Sequence, residues 1–413
     1  MKTTEASISL SAEAKVPTKA WLILAVTYFA SFMAPMAQFK IPPLASWLIP
    51  YFGMDGATFG LLMSALAIIG VVLAFPAAFI CRAFGLKATM LISVGCLCVG
   101  SFVGAITDNL YVLMASRMLE GVGIGLIGVA APTCITVWFP ERRRGLALGI
   151  WATWVPAGII LMFNTAPALA QAAGFRFVFF AVAALSLLAF ICFAAVFTLP
   201  AGEDGDITAG GTFLDGMRYL KTKNIWLLGV LFICFCGTSL AITNSYYNTF
   251  LETVRGFSAV DSSFVTSLCT LLGIPIQVFV GWLTDRTALR NRRWLFVAMA
   301  VTMCASFFIM FDTGQAADAC MWGFVILQAL GGGIAMGSLR PTAPALVEGG
   351  ALGAAMAMAV LQLFQNLGSA IFAPLFGFAY QQIGWFGASM AIQVPLMVVA
   401  FACAVFIVPK QRD

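Results

Sequence analysis

The chain has 413 residues, of which 62% are hydrophobic and only 9% charged; its mean hydropathy is +0.99 and its net charge +5. A soluble protein of this size cannot hide so much apolar surface. With no histidine, Ser-His-Asp and Cys-His triads, HExxH zinc sites and His-ligated haem are excluded, and a charge of +5 distributed along an apolar chain carries no nucleic-acid signal.

Apolar stretches of about 20 residues recur along the chain, the length of a membrane-spanning helix. Barrel strands would alternate apolar and polar residues in shorter pieces. Twelve spans are predicted near 20–46, 58–81, 88–106, 110–137, 145–168, 177–199, 225–250, 262–284, 294–312, 319–345, 353–378 and 386–408. The polar start of the chain carries no cleavable signal pattern. The longest polar interruption, Ala201 to Lys223, is rich in Gly and Asp and then basic. The expected organisation is therefore a tail (1–19), a six-helix bundle (20–199), a linker (200–224), a second six-helix bundle (225–408) and a short tail (409–413).

Basic residues set the orientation. Seventeen fall on the side of the two termini, two (Arg176 and Arg255) on the other, and Lys40, Arg117 and Arg340 lie within spans. Both termini and the linker are thus expected in the cytoplasm, with the protein in a cell (inner or plasma) membrane. The halves also echo one another. Trp21 opens span one as Trp226 opens span seven, and Ala131-Pro132-Thr133 of span four matches Arg340-Pro341-Thr342 of span ten. Such weak similarity is what parallel repeats leave.

Lys40 stands in a run, Ala20 to Phe52, that is otherwise free of charge. A cation inside a span is expensive and marks a functional site by default. With no acid nearby in sequence, the expectation is that Lys40 faces an aqueous chamber and meets an anionic passenger, with Gln38 beside it. Snorkelling to the headgroups is the alternative. Pro42 and Pro43 should kink the helix and free carbonyls. Arg340 in span ten suits bidentate grip of a carboxylate, unless it pairs with Glu348 or anchors the span end. Arg117 and Glu120, at i and i+3, can pair; the pair either stabilises span four or couples protons through Glu120. Asn244 and Tyr247 in span seven, Gln362, Gln365 and Asn366 in span eleven, and Trp151 and Trp154 at mid-depth in span five read as cavity lining. Trp21, Trp47, Trp226, Trp294, Trp322 and Trp385 read as interface anchors. Gly121, Gly123, Gly125 and Gly128 in span four, and Gly331, Gly332, Gly333 and Gly337 in span ten, suggest surfaces on which helices slide.

Gly281-Trp282-Leu283-Thr284-Asp285-Arg286, followed by Arg290, Arg292 and Arg293, resembles the loop motif of the major facilitator superfamily. The first-half copy, Ala78 to Lys87, is degraded, with Arg82 where the family has Asp. Arg117-Met118-Leu119-Glu120-Gly121 resembles the family's span-four motif, and Pro156-Ala157-Gly158 is a reduced form of its span-five antiporter motif. The resemblance implies an all-α membrane fold of twelve helices in two pseudo-symmetric bundles that rock about a central site, with Asp285 and Arg286 gating.

The function expected is a secondary active transporter for a small organic or inorganic anion, coupled to a proton or a counter-anion. The alternative is an exporter of drugs or hydrophobic compounds, which the lack of a free mid-span acid disfavours. Neither reading needs an enzyme active site, a metal or another cofactor, and the protein is expected to act as a monomer in the bilayer. The eleven cysteines read as small core residues.

Overall fold

The computed structural model describes residues 17–74, 76–199, 218–348 and 350–407. Most of the expected amino-terminal tail and linker, and all of the carboxyl-terminal tail, lie outside the described residues. Eleven apolar helical stretches are long enough to cross a membrane: α1 (Thr18–Phe39), α2 (Gly56–Leu73), α3 (Ala83–Ile106), α4 (Leu110–Trp138), α5 (Arg143–Ala173), α6 (Phe175–Val196), α7 (Lys223–Thr253), α8 (Ala259–Arg286), α9 (Leu289–Ile309), α10 (Ala317–Thr342) and Met356–Phe406. Gly384, at φ +74°, breaks the last into α11 (356–383) and α12 (385–406). The chain therefore forms twelve transmembrane helices in two six-helix bundles. With an even number of spans, α1 begins and α12 ends on one face, the terminal face; the other is the far face.

The bundles repeat one another in packing. α1 packs on α5 and α6, α2 on α4, and α3 on α4 and α6; α7 packs on α11 and α12, α8 on α10, and α9 on α10 and α12. The seam between bundles joins α2 to α11 and α5 to α8, a pairing that a twofold exchange maps onto itself. At the far face α1 extends through a tight turn (Pro42–Leu44) and a short helix (Ala45–Phe52) that pack against the end of α7.

The glycines of α4 and α10 face helices of their own bundle. A Cβ on Gly123 would sit 2.5 Å from the Ser93 carbonyl, and one on Gly337 would sit 2.6 Å from that of Gln277. Both contacts lie inside a bundle, so these residues pack helices within each half. Close approach between halves falls to Gly56, Gly60 and Gly377 of α2 and α11. A Cβ on Gly60 would meet Pro374 Cα at 2.5 Å, and one on Gly377 would run into the Gly56 carbonyl.

Candidate functional site

The proline pair at the end of α1 determines the first feature. Pro42 and Pro43 have no N–H, so the carbonyls four residues earlier lose their helical donors. Arg117 of α4 substitutes at one of them, donating to the Gln38 carbonyl at 3.2 Å, and also donates to the Ala37 carbonyl at 2.7 Å. It also pairs with Glu120, one turn along, as the sequence spacing allows. Lys40 then joins the same carboxylate. Its Nζ lies 2.5 Å from Glu120 Oε1, 2.8 Å from Ser101 Oγ and 4.4 Å from the Phe179 ring centre. Ser101 donates to Glu120 as well, at 2.6 Å. All three charged side chains are fully buried.

This corrects the expectation for Lys40. It is neither unpaired nor directed at the central chamber; it points into the interior of the amino-terminal bundle, among α3, α4 and α6. Desolvation explains the difference. A lone ammonium in a span is costly, whereas one beside a carboxylate, a hydroxyl and an aromatic face is compensated.

Gln38 does face the seam. It lines a small cavity of about 30 Å³ with Phe39, Pro42, Met63 and Leu66 from one bundle and Leu240, Ala241, Ser245, Ser369 and Ala373 from the other. Toward the far face the bundles are tied together. Asn248 donates to the Pro42 carbonyl at 2.6 Å, Tyr246 to the carbonyls of Gly56 and Ala373 at 3.0 and 2.8 Å, Ser64 to that of Ser369 at 3.1 Å, and Asn164 to Ser267 at 3.0 Å. At mid-depth an open groove of about 410 Å³ runs beside α5, lined by Phe32, Thr153, Pro156, Ala157, Ile160, Leu161 and Ile274. The structure is thus closed at the far face.

Arg340 is near the terminal end of α10, and its side chain reaches back among α7 and α11. It donates to Gln365 Oε1 at 2.8 Å, lies 5.8 Å from the Phe232 ring centre, and has a buried Nε with no hydrogen-bond partner. No carboxylate among the described residues lies within ion-pair distance of it, and Glu348 is exposed at the helix end. Gln362 is half-buried on the same helix face, and Asn366 packs over Gly70 of α2.

Tyr247 departs from expectation. Its ring stacks into the core of the carboxyl-terminal bundle, 4.4 Å from the Phe324 ring centre, and the neighbouring Tyr246 is the one that crosses the seam. Asn244 is buried where a π-helical turn (Cys236–Thr243) returns to α-helix. That wide turn rotates the helix face, so positions counted from the start of α7 are misassigned. Trp151 and Trp154 stack at 5.3 Å, and Trp151 donates to Ser31 at 2.9 Å. They sit in the terminal half of α5, nearer its terminal end than its middle, because the helix begins at Arg143. Trp385 is not a simple anchor: it stacks on Tyr380 at 4.1 Å within a far-face aromatic cluster.

In the loop motif, Arg286 lies over Trp282 at 4.1 Å, and Asp285 is exposed. Arg292 joins the loop to α10, donating to Thr342 at 3.4 Å. On the far face Tyr51 and Arg176 converge on Asp108. The hydrogen bond from Tyr51, aided by the Arg176 charge, holds the Asp108 carboxyl below its ordinary range, and the same bond pushes the Tyr51 phenol up. No cluster of three His, Cys, Asp or Glu side chains among the described residues could hold a metal ion.

Comparison with known proteins places this geometry. The profile of the Major Facilitator Superfamily matches residues 27–358. An uncharacterised MFS-type transporter of Mycobacterium tuberculosis is 25% identical over 256 residues, 49% of this chain and 44% of that one. A probable sulfoacetate transporter of Cupriavidus necator is 24% identical over 280 residues, 64% of this chain and 65% of its own length. The chain thus matches less than two thirds of the length of these relatives. Among solved structures, a bacterial homologue of the human lysosomal transporter Spinster aligns with a TM-score of 0.69 at 18% identity, covering 95% of each chain. The family match covers most of the sequence and the two-bundle fold agrees with it: the chain belongs to the Major Facilitator Superfamily.

Proposed function

We propose that the protein carries a small organic anion across a cell membrane by alternating access, with its terminal face in the cytoplasm. The observation that carries this reading is Arg340: a guanidinium held between α7 and α11, oriented by Gln365 and without a carboxylate partner among the described residues. A guanidinium supplies paired, planar donors for carboxylate or sulfonate oxygens, and its unpartnered Nε is a donor in need of an acceptor. Gln362, Asn366 and Gln38 offer amides for the remaining polar atoms of the passenger. The similarity to a probable sulfoacetate transporter supports the same class of substrate. The excess of basic residues on the terminal face supports the orientation. A counterflow screen of purified protein in liposomes against small carboxylates, sulfonates, inorganic anions and lipophilic cations tests the proposal. Exchange of a carboxylate or sulfonate that is lost in Arg340→Ala supports it; exchange of lipophilic cations alone overturns it.

One observation favours a second reading. The mid-depth groove of about 410 Å³ beside α5 is almost wholly apolar, which suits a hydrophobic compound leaving the cell.

A further inference from the structure

The junction of α8 and α9 carries four arginines, Arg286, Arg290, Arg292 and Arg293, against one acid, Asp285. Two of the arginines lie on indoles. Arg286 stands 4.1 Å from the Trp282 ring centre, one turn back along α8, and Arg293 stands 5.2 Å from that of Trp294. The fold sets these two pairs side by side. Arg292 donates to the Thr287 carbonyl at 3.3 Å, which turns the start of α9 back onto the end of α8. The charge of Asp285 falls on this same Arg292. Arg286, Arg290 and Arg293 have no ion pair among the described residues, and the Nε of Arg293 is buried without a hydrogen-bond partner there. The junction therefore holds a surplus of positive charge with unused donors.

Position selects the anion. Trp282 and Trp294 are 49% and 60% exposed at the terminal ends of two membrane-crossing helices, the level at which indoles meet lipid headgroups. Deeper along each helix the exposed surface is apolar: Val278 and Phe279 on α8, and Val301 and Phe308 on the same face of α9 as Trp294. A guanidinium lying flat on an indole keeps its edge free, and that edge matches phosphate oxygens in pairs. A soluble anion would use only these edges, whereas a molecule with a phosphate at the headgroup level and hydrocarbon beneath it uses the whole surface. The first-half copy of the motif supplies a comparison. Phe79 and Ala83 stand where Trp282 and Arg286 do, so the repeated fold itself requires neither the indole nor the cation.

We propose that the α8–α9 junction binds one anionic phospholipid of the terminal-face leaflet. Arg286 and Arg293 hold its phosphate, Arg290 adds charge at the headgroup level, and its acyl chains lie along the exposed faces of α8 and α9. The site does not depend on which passenger the protein carries. It does touch the helix that bears the candidate substrate arginine: Arg292 ties the junction to Thr342 of α10, two residues beyond Arg340. A bound lipid thus braces the terminal end of α10.

Native mass spectrometry of the full chain in an uncharged detergent reads the bound lipid directly, with dioleoylphosphatidylglycerol and dioleoylphosphatidylcholine offered at equal concentration. The wild type should retain the anionic lipid several-fold more than the zwitterionic one. Arg286→Gln/Arg293→Gln should abolish that preference, and Trp282→Leu, which keeps every charge, should reduce it. Arg218→Gln/Lys223→Gln removes the same charge elsewhere on the terminal face and should leave the preference intact. Thermal unfolding checks that each variant folds; Arg293→Gln alone replaces the double variant if that one does not. Equal retention of the two lipids by the wild type overturns the proposal. So does an equal loss in the two double variants, which would reduce the effect to net charge. Displacement of the anionic lipid by excess inorganic phosphate would also overturn it, since the junction would then be a phosphate site rather than a lipid site.

Discussion

The side-chain amide of Asn248 donates to the carbonyl of Pro42 across the seam, 2.6 Å away and buried. Pro42 is part of the broken end of α1, and Asn248 belongs to the far-face end of α7, so one hydrogen bond links the buried turn of one bundle to the other. Asn248→Ala leaves that carbonyl without its partner, a loss of about 1–3 kcal/mol from the closed state. Spin labels at Tyr111 and Thr313 in a cysteine-free background report the far-face separation. The variant should gain a population at longer distance; an unchanged distribution would show that the bond is not a latch.

Arg340 invites a graded substitution. Arg340→Lys keeps the charge but removes the planar pair of donors and the link to Gln365. Loss of one charge-assisted hydrogen bond, about 1.5–3 kcal/mol, corresponds to roughly a tenfold or greater weakening of anion affinity. Gln365→Leu frees the guanidinium to move and should weaken binding less. Equilibrium binding of the anion selected by counterflow measures both; equal affinity in Arg340→Lys would mean that Arg340 serves only as a charge.

Glu120 should dominate the stability of its cluster. Glu120→Gln leaves two buried cations with no counter-charge, and breaking a buried pair this way costs about 3–5 kcal/mol. Adding Lys40→Met removes one of the stranded cations and should restore much of the loss. Thermal unfolding in detergent gives the comparison, and a double variant no more stable than Glu120→Gln would mean that the two residues are not energetically coupled.

The sequence made the twelve spans legible because a bilayer demands long apolar helices and charge bias marks their ends. It also made the Arg117–Glu120 pair legible, since i and i+3 share a helix face. The Lys40–Glu120 pair was not legible: the partners are 80 residues apart, and only packing of α1 against α4 brings them together. Which of the span-seven tyrosines reaches the seam was not legible, because the π-helical turn at Cys236–Thr243 shifts the face of α7 in a way no periodic count detects. Small-residue runs in α4 and α10 announced close packing but not the partner helix. Gly56 and Gly60, which let α2 approach α11 closely, form a G-x-x-x-G pair that marks a contact face but not the helix it meets.

The Tyr51–Asp108–Arg176 clasp should give far-face stability a definite pH profile. Asp108 has a lowered pKa in the folded protein, so its contribution is present above the ordinary aspartate range and is lost as pH falls through the lowered value. Tyr51 has a raised pKa, so its contribution holds below the ordinary tyrosine range and is lost as pH rises through the raised value. Neutral pH lies on the plateau between. Asp108→Asn should flatten the acid arm of melting temperature against pH, by a small amount because the pair is solvent-exposed; an unchanged acid arm would assign that arm to other carboxylates.

Gly60 provides a steric test of the closed state. A methyl group there would lie 2.5 Å from the Cα of Pro374 and 2.6 Å from the Ala373 carbonyl, backbone atoms that cannot rotate away. Gly60→Ala should therefore part α2 from α11 and hold the far face open without disturbing either bundle. Gly123→Ala meets a backbone carbonyl within its own bundle and should lower thermal stability instead. The two variants separate motion from folding. Gly60→Ala is expected to keep near-wild-type melting, lengthen the Tyr111–Thr313 distance and lose counterflow, whereas Gly123→Ala melts early at an unchanged distance. Full counterflow in Gly60→Ala would mean that α2 and α11 need not close in the cycle.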